Sequence, residues 1–270
     1  MIPRCNLHTH TTHCDGKNTA EEMILAAIAA NFETIGFSGH SPLEGEDWAM
    51  TQSSMAKYIP EILSLREKYS DRIEVVLGME YDILSDCPKD PFEYIIGSVH
   101  FVMKNGERLP VDMSAEALRL AVEKHYGGDF YKFSADYYSY MYQLAEKTNC
   151  DIVGHFDLLT KFNAGGAFFD ESDARYQRYA LDALDALLDK SLIFEINTGV
   201  IARVNRENPY PADFILRRIA ERGGRVMINS DCHTAKWIDV YFPEAVEYAR
   251  SCGVKELTVF KGGDFTQIGI

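Results

Sequence analysis

Short apolar segments alternate with longer amphipathic segments along the chain, and each kind predicts its own type of element. Apolar and β-branched runs predict strands at Arg4–Leu7, Glu33–Phe37, Ile73–Leu77, Tyr94–Val99, Asp151–Val153, Leu192–Ile196, Arg225–Ile228 and Glu256–Phe260. Segments with helical spacing predict helices at Ala20–Asn31, Ser53–Tyr69, Ser114–His125, Ser134–Thr148, Ser172–Lys190, Pro211–Arg222 and Pro243–Ser251. Because strands that alternate with helices pair in parallel, this order predicts an α/β protein. A (β/α) barrel that forms a single domain over residues 1–270 is the simplest interpretation, and a doubly wound open sheet is the alternative.

Local signals indicate where several helices begin or bend. Thr19 followed by Glu22 has the spacing of a capping box before the first helix. Pro60 lies inside the second predicted helix and should kink or break it. Pro211 and Pro243 are expected in the first turn of their helices, where a missing backbone N–H costs nothing.

Composition and charge narrow the class of protein. The chain has 270 residues, 46% hydrophobic and 25% charged, which is an ordinary globular balance. The formal net charge of −14 argues against a nucleic acid or an anionic membrane bound through a general positive field. A phosphate substrate would also be repelled, unless metal ions or local cations reverse the sign of the field at the site.

Cysteine usage and hydropathy predict the compartment. The six cysteines are scattered and form no C-x-x-C pair, which favours reduced structural thiols. The first ten residues lack the apolar core of a signal peptide. No apolar stretch approaches the roughly 20 residues that span a bilayer. We therefore expect a cytoplasmic protein with no membrane partner, whose oligomeric state the sequence does not predict.

Ligand-type residues follow six of the predicted strands directly. They are His8, His10 and Asp15 after the first strand, then His40, Glu80, His100 and His155, and finally Asp231 and His233. In barrels the carboxyl ends of the strands form the face on which active sites are built. A catalytic metal usually takes about three protein ligands and keeps a position open for water. Nine such residues therefore predict up to about three divalent metals, particularly if Glu80 bridges.

The alternative for each histidine is a hydrogen-bonded structural role. A single histidine after a strand usually has that role, and H-x-H or D-x-H alone is a weak motif. Six of the eight histidines at strand ends, joined by three carboxylates, are much harder to explain in this way. The two others serve as controls. His125 is expected to cap a helix, and His13 is expected to face solvent or to lie next to the ligand residues.

At this point the motifs resemble those of the polymerase-and-histidinol-phosphatase (PHP) family, and within it the monofunctional histidinol-phosphate phosphatases. The resemblance covers nearly the whole chain. It is carried by Leu7-His8-Thr9-His10 with Asp15-Gly16, Gly39-His40-Ser41, Gly78-Met79-Glu80, Ile96-Gly97-Ser98-Val99-His100-Phe101, Gly154-His155-Phe156-Asp157, Glu195-Ile196-Asn197-Thr198 and Ser230-Asp231-Cys232-His233.

The resemblance implies a distorted (β/α)7 TIM-like barrel with a trinuclear metal centre. It assigns His8, His10, Glu80 and Asp231 to one metal, Glu80, His100 and His155 to a second, and Asp15, His40 and His233 to a third. Asp15 stands where some members of the family have histidine. A histidine and carboxylate shell without thiolate suits Zn, Fe or Mn.

The implied reaction is hydrolysis of L-histidinol phosphate, a small phosphorylated metabolite of histidine biosynthesis. We expect a metal-bridging hydroxide to attack phosphorus, and Asp231 or His233 to assist proton transfer as catalytic residues. Arg203 is the favoured phosphate contact because a guanidinium binds two phosphate oxygens at once. Arg206 and Lys161 are the lesser candidates.

Leaving-group selectivity is expected in the loop from Pro42 to Ser54, and the glycine-rich stretch Asn163–Ala167 is a second predicted rim. Another small-molecule or nucleotide phosphatase or phosphodiesterase on the same metal centre is the first alternative function. A catalytically silent metal-binding module and an amidohydrolase-type enzyme acting on C–N bonds are the others. The module should have lost ligands, and the amidohydrolase should lack the ordered motifs.

Overall fold

Seven parallel strands form a nearly closed barrel. The structure is a computed structural model that describes residues 2–204 and 206–270. The barrel strands are β1 (Cys5–Asn6), β2 (Thr34–Phe37), β3 (Glu74–Asp82), β4 (Tyr94–Ser98), β7 (Ile152–Val153), β8 (Ile193–Asn197) and β9 (Arg225–Asn229), in that spatial order. The prediction of an α/β barrel is confirmed, and the open doubly wound sheet is excluded because the first and last strands meet.

The seam between β1 and β9 is closed mostly by side chains and a single bridge. Thr9 and Cys232 pair in parallel just beyond the two strands. The Leu7 N–H donates to Asn229 Oδ1 at 2.8 Å, and Asn6 Nδ2 donates to Ser230 Oγ at 2.7 Å. Asparagine side chains thus replace part of the missing ladder, which makes the barrel a distorted one.

Helices cover the outer face of the barrel. They are α1 (Ala20–Ala29), α2 (Gln52–Tyr69), α3 (Ala115–Tyr126), α4 (Phe130–Thr148), α5 (Ala174–Leu188), α6 (Gly199–Val204), α7 (Asp213–Glu221) and α8 (Phe242–Ser251). The capping box of Thr19 and Glu22 at the start of α1 is confirmed. Within the described residues no helix is long and apolar enough to cross a membrane.

Two predictions about prolines are wrong, namely a break of α2 at Pro60 and a position for Pro211 in the first turn of α7. Pro60 does not break α2, which runs continuously from Gln52 to Tyr69. Pro60 and Ala56 both lie on the exposed face, so water can satisfy the carbonyl that the proline leaves without a donor. Pro211 precedes α7, because backbone pairing between Tyr210 and Asn197 keeps the chain extended up to that point. Pro243, in contrast, lies in the first turn of α8 as predicted.

The last predicted strand belongs to a hairpin outside the barrel. β10 (Glu256–Lys261) pairs antiparallel with β11 (Asp264–Gly269), which the hydropathy pattern did not predict. The hairpin lies against the amino-terminal ends of the barrel strands, where the Phe260 carbonyl accepts from Thr34 Oγ1 at 2.8 Å. A second unpredicted hairpin, β5 (Phe101–Lys104) with β6 (Glu107–Pro110), follows β4 at the opposite end.

The barrel interior has two layers. The lower layer is apolar and contains Cys5, Leu7, Val76, Tyr94, Ile96, Ile152, Ile193, Met227, Val259 and Phe260. The Tyr94 ring fills its centre, and a Cβ on Gly78 would lie 2.2 Å from that ring. The next inward positions along the same strands are polar, so the chemistry begins where this apolar layer ends.

Candidate metal centre and active site

Strand alternation places the polar side chains above the apolar layer. Side chains two residues apart on a strand point to the same face. The inward series therefore run from Val76 through Gly78 to Glu80 and Asp82, from Tyr94 through Ile96 to Ser98, from Ile193 through Glu195 to Asn197, and from Met227 through Asn229 to Asp231. Each series changes from apolar to polar towards the carboxyl end of the strands.

Glu80 lies at the centre of the cluster and both its oxygens contact histidines. Oε2 is 2.8 Å from His40 Nδ1, 3.2 Å from His8 Nε2 and 3.5 Å from His10 Nε2. Oε1 is 2.8 Å from His155 Nε2 and 3.4 Å from His100 Nε2, and it accepts from Ser98 Oγ at 2.7 Å. One buried carboxylate thus joins five histidines, the geometry that a bridging ligand requires.

Asp231 forms a second focus with His8 and His10. Its Oδ1 lies 3.2 Å from His10 Nε2 and 3.6 Å from His8 Nε2. Its backbone has a positive φ of 45°, which is uncommon outside glycine, although asparagine and aspartate adopt it more often than other residues. Such strain is often found at functional sites, where the surrounding structure holds it in place.

Asp15 provides the third focus, nearer to solvent. Its Oδ2 lies 3.1 Å from His233 Nε2, and its Oδ1 lies 3.6 Å from His40 Nε2. The His10 ring stacks on His233 at 4.1 Å and lies 4.3 Å from His40. The loop after β1 therefore brings a carboxylate to histidines from two other strands.

All nine sequence-predicted ligands come together, but the structure groups them differently from the sequence analysis. Three groups have ligand atoms within 4.8 Å of one another: His10, Asp15, His40 and His233; His8, His10 and Asp231; and His40, Glu80 and His100. His10 and His40 each belong to two groups. His155 reaches the cluster only through Glu80. No cysteine joins these groups within the described chain, so Cys14 and Cys232 lie outside them.

The donor atoms of the cluster fit divalent metals. Among the described residues, six of its buried atoms have no partner with hydrogen-bond geometry, namely His8 Nε2, His10 Nε2, Asp15 Oδ1, His40 Nδ1, Glu80 Oε2 and His155 Nδ1. A buried polar atom without a partner is costly, and native structures keep few of them. Five of these atoms point at other ligand residues at the distances given above, so a cation among them would satisfy several at once.

Burial and mutual charge determine the protonation of these groups. Burial alone would lower the pKa of His8, but the carboxylates of Glu195, Asp231 and Glu80 raise that pKa well above its ordinary value. Burial together with His233 and His40 lowers the pKa of His10 to about 3. His10 is therefore neutral at pH 7, the state in which an imidazole binds a metal.

The carboxylates remain ionised despite their burial. Burial raises the pKa of Glu80, but His40, His8 and His100 outweigh it and hold that pKa well below the ordinary value. The pKa of Asp231 is likewise lowered, by Arg203 and His8 against the effect of burial. Both carboxylates are therefore ionised, the state in which a carboxylate binds a cation.

Two further carboxylates orient the histidines from behind. Glu195 Oε1 lies 2.6 Å from His8 Nδ1, and Asp82 Oδ2 lies 3.0 Å from His100 Nδ1. A carboxylate on the second ring nitrogen fixes which nitrogen faces the metal. Sequence reasoning did not assign these roles. The signal that could have found them is alternation, since Asp82 lies two residues beyond Glu80 on the same face of β3.

The metal cluster forms the base of a cavity of about 350 Å³. Three cationic side chains line its walls, namely Lys17, Lys161 and Arg203. The apolar side chains that line them are Trp48, Phe101, Pro110, Met113 and Leu158. From the predicted loop Pro42–Ser54 only Trp48 lines this cavity. The stretch Asn163–Ala167 does not line it, so the expectation of a rim there is wrong.

The three predicted phosphate contacts occupy different environments. Arg203 lines the cavity but forms an ion pair with Asp231 Oδ2 at 2.5 Å, and its Nη1 lies 3.1 Å from His233 Nδ1. Lys161 lines the cavity and donates to Asp112 Oδ2 at 2.9 Å. Arg206 lies outside the cavity, where it donates to Thr160 and covers the Tyr210 ring, so the structure does not bring it to the site.

The two control histidines lie away from the cluster. His13 Nε2 lies 2.8 Å from Glu61 of α2. His125 lies in the last turn of α3, and its Nε2 lies 3.2 Å from Glu107 Oε2 of β6. Both histidines that do not end a predicted strand therefore lie outside the cluster, whereas the six that do end one lie within it.

The model of the PHP domain family matches residues 6–199, which is more than half of the chain. The chain belongs to the PHP family. The match includes the strands that carry His8 to Glu195, whereas Asp231 and His233 lie beyond it.

Curated relatives of this PHP protein align over most of their length. The "Probable histidinol-phosphatase" of Deinococcus radiodurans is 29% identical over 270 residues, covering 96% of this chain and 97% of the relative. The "Histidinol-phosphatase" of Bacillus subtilis is 24% identical over 253 residues, covering 84% and 92%.

A solved structure shares the fold. The histidinol phosphate phosphatase of Lactococcus lactis, crystallised with zinc, L-histidinol and phosphate, superimposes with a TM-score of 0.69. The alignment covers 97% of this chain and 98% of that chain at 21% sequence identity. At that identity the similarity supports the barrel fold, which agrees with the sheet order described above.

Proposed function

We propose that this chain is a metal-dependent phosphomonoesterase that hydrolyses L-histidinol phosphate to L-histidinol and phosphate. The observation that carries the proposal is the convergence of nine ligand residues at the base of one cavity whose walls hold cations and aromatic rings. Relatives aligned over most of their length have the name histidinol-phosphatase, so the proposal assigns this chain the same place in histidine biosynthesis.

The proposed cofactors are three divalent metals, of Zn, Fe or Mn. Each of the three groups of ligand atoms would hold one. Glu80 is placed to serve more than one ion, because its two oxygens face different histidines. The zinc in the Lactococcus lactis structure supports this choice of metal class. When bound, such metals lower the pKa of a coordinated water and neutralise the charge of the phosphoryl oxygens.

The chain's own cations would orient the phosphate. The ammonium group of Lys161 and the guanidinium of Arg203 both line the cavity, and Lys17 joins them. Arg203 has a second task, because its ion pair fixes Oδ2 of Asp231 and leaves Oδ1 facing His8 and His10. We propose Lys161 and Arg203 as phosphate contacts and withdraw Arg206, which lies outside the cavity.

Proton transfer to the leaving alkoxide would fall to Asp231 or His233. Both line the cavity. Oδ2 of Asp231 is occupied by Arg203 and by Asn197 Nδ2 at 3.0 Å. His233 is more exposed and lies near Asp15 and Arg203.

The test is phosphate release from L-histidinol phosphate, measured beside a panel of nucleotides, sugar phosphates and a phosphodiester, with metal content assayed on the same sample. We expect preference for L-histidinol phosphate, loss of activity on chelation and recovery when metal is restored. Faster hydrolysis of another ester would keep the metal centre and overturn the substrate. No hydrolysis by metal-loaded protein would overturn the enzymatic proposal in favour of a binding module or of C–N bond hydrolysis.

A further inference from the structure

The loop after β2 and the β5–β6 hairpin meet above the cavity. Trp48 of the loop packs edge-on against His40 and His100, with ring centroids 4.7 and 5.2 Å apart. It also lies nearly parallel to Phe101 of the hairpin, 6.2 Å away with an interplanar angle of 24°. Because both rings line the cavity, they form one aromatic wall beside two metal-ligand histidines.

Two charged residues that do not line the cavity fix this wall. The Trp48 indole Nε1–H donates to Glu46 Oε2 at 3.0 Å. Arg108 of β6 donates from Nη1 to Glu46 Oε1 at 3.3 Å and from Nη2 to the carbonyl of Glu44 at 2.6 Å. The Glu46 carboxylate therefore links the indole on one side to the hairpin on the other.

The same guanidinium also contacts the second ring of the wall. The Arg108 guanidinium carbon lies 5.9 Å from the centroid of the Phe101 ring. The side chains of Arg108 and Glu46 are only 32% and 17% exposed, so solvent weakens their interaction less than that of a fully exposed pair. Arg108 thus contacts both parts of the aromatic wall. It binds Glu46, which holds Trp48, and it lies against Phe101.

We infer that Arg108 and Glu46 are positioning residues that fix the Trp48 indole, and thereby give the site its preference for phosphate esters with a flat aromatic leaving group. The inference rests on the proposed function, because it concerns the leaving group of the same cavity. An indole that is already held in place loses no rotamer freedom when a ring stacks on it, and that ordering cost otherwise weakens binding. A leaving group without a ring makes no use of the wall, so its binding is independent of the brace.

The test compares two substrates on a set of variants. L-histidinol phosphate has a ring, whereas ethanolamine phosphate keeps an amine and a phosphate without one. In Arg108→Ala and Glu46→Ala the KM for L-histidinol phosphate should rise about three- to tenfold, the change expected when one aromatic contact is loosened. Its kcat, the KM for ethanolamine phosphate and the metal content should stay at the wild-type level. Glu46→Gln keeps an oxygen for the indole N–H and should fall between Glu46→Ala and wild type.

A spectroscopic measurement follows the indole directly. The chain has two tryptophans, Trp48 and Trp237, so in a Trp237→Phe background Trp48 is the only source of tryptophan fluorescence. Arg108→Ala should shift its emission to longer wavelength in the absence of substrate, as the ring moves towards water, and should weaken quenching by L-histidinol. Glu107→Gln is the matched control, since this neighbouring side chain on β6 contacts Lys124 and His125 instead of the wall.

Three results would overturn the inference. One is an equal rise of KM for both esters, which would indicate general damage to the site. Another is a loss of metal, which would mean that the brace acts through His40 and His100. The third is an unchanged Trp48 emission in Arg108→Ala. If the wild type does not hydrolyse L-histidinol phosphate, the proposed function fails, while the emission of Trp48 still tests whether Arg108 holds the indole.

Discussion

The lower and upper layers of the barrel interior are built by the same strands and differ in what they contribute. In the lower layer Tyr94, Ile96 and Val76 bury apolar surface, which stabilises the fold by about 25 cal/mol for each Å² removed from water. In the upper layer Glu80 and Asp231 bury charge, which costs free energy unless opposite charge is close. The lower layer, which stabilises the fold, and the upper layer, which holds the candidate ligands, are only two residues apart along a strand.

This difference implies that stability and activity can be changed separately. A substitution in the lower layer should lower the free energy of unfolding and leave metal binding intact as long as the chain is folded. A substitution in the upper layer should lower metal content and activity, while the metal-free protein loses little stability. The predictions below would break that separation or sharpen it, and the largest expected effect comes first.

Glu80→Gln should have the largest effect on activity. The change removes the negative charge that lies within 3.5 Å of five histidine nitrogens. Loss of one well-placed electrostatic contact typically costs about a hundred- to a thousandfold in kcat, and we expect at least the upper end of that range for phosphate release. Metal content should fall in parallel. A variant that keeps its metals and loses less than about tenfold would show that Glu80 is not a bridging ligand.

Gly78→Ala should have the largest effect on stability. The new methyl group would lie 2.2 Å from the Tyr94 ring, whose hydroxyl donates to the Leu7 carbonyl and limits how far the ring can move. Overpacking of this severity should cost more than about 3 kcal/mol, the upper end of the usual range, measured by denaturant unfolding. In a Tyr94→Leu background the same substitution should cost much less, because the ring is gone. A wild-type midpoint for Gly78→Ala would contradict the tight lower layer.

Asp157 is a buried carboxyl outside the cluster of candidate ligands. It tests whether the histidines keep the carboxylates of the upper layer ionised. Burial, opposed by Arg206, raises the pKa of Asp157 from 3.8 to about 6, whereas histidines lower the pKa of Glu80. The folded state therefore binds the Asp157 proton more tightly than the unfolded state. Its contribution to stability is complete below about pH 4 and is lost as the pH rises through 6, by up to about 3 kcal/mol.

Asp157→Asn isolates this contribution. The difference in unfolding free energy between variant and wild type should shift in favour of the variant between pH 4 and pH 7. The amide oxygen can still accept from the Ala212 N–H, which donates to Asp157 Oδ2 at 2.9 Å. A difference that does not change with pH would mean that Asp157 keeps an ordinary pKa.

Asp82→Asn and Glu195→Gln should have the smallest effects. These residues orient His100 and His8 without belonging to the ligand groups. Loss of such an orienting carboxylate usually costs about 10- to 100-fold in metal affinity, which a competition titration against a chelator would measure. Saturating metal should restore most of the activity. An effect as large as that of Glu80→Gln would indicate that either carboxylate is itself a ligand.

Local periodicity predicted the barrel strands, because a short apolar run between turn signals is visible in the sequence. It did not predict the β5–β6 hairpin, whose residues show a weaker and partly exposed pattern. It also did not separate β10 from the barrel strands. A strand outside the barrel and a strand within it can have the same composition. Only the strand with which each one pairs distinguishes them.

The convergence of the nine candidate ligands was predictable for a similar reason, and their grouping was not. Parallel strands end at the same edge, so histidines and carboxylates after successive strands must converge whatever their exact rotamers. Which two or three side chains share an ion depends on distances set by the whole barrel. His10 and His40 therefore face two groups each, although the motif pattern placed each with a single metal.

The sequence by itself determined the barrel and the nine residues that converge at its carboxyl end, since both follow from the order of strands and from the residues that end them. The tertiary structure decided the roles of the cations and of the aromatic wall. Arg203, Lys161 and Arg206 are equivalent as charges in a sequence, yet only the first two reach the cavity. Arg108 and Trp48, 60 residues apart, act together only because Glu46 lies between them. Long-range packing determines such contacts, and no local pattern encodes them.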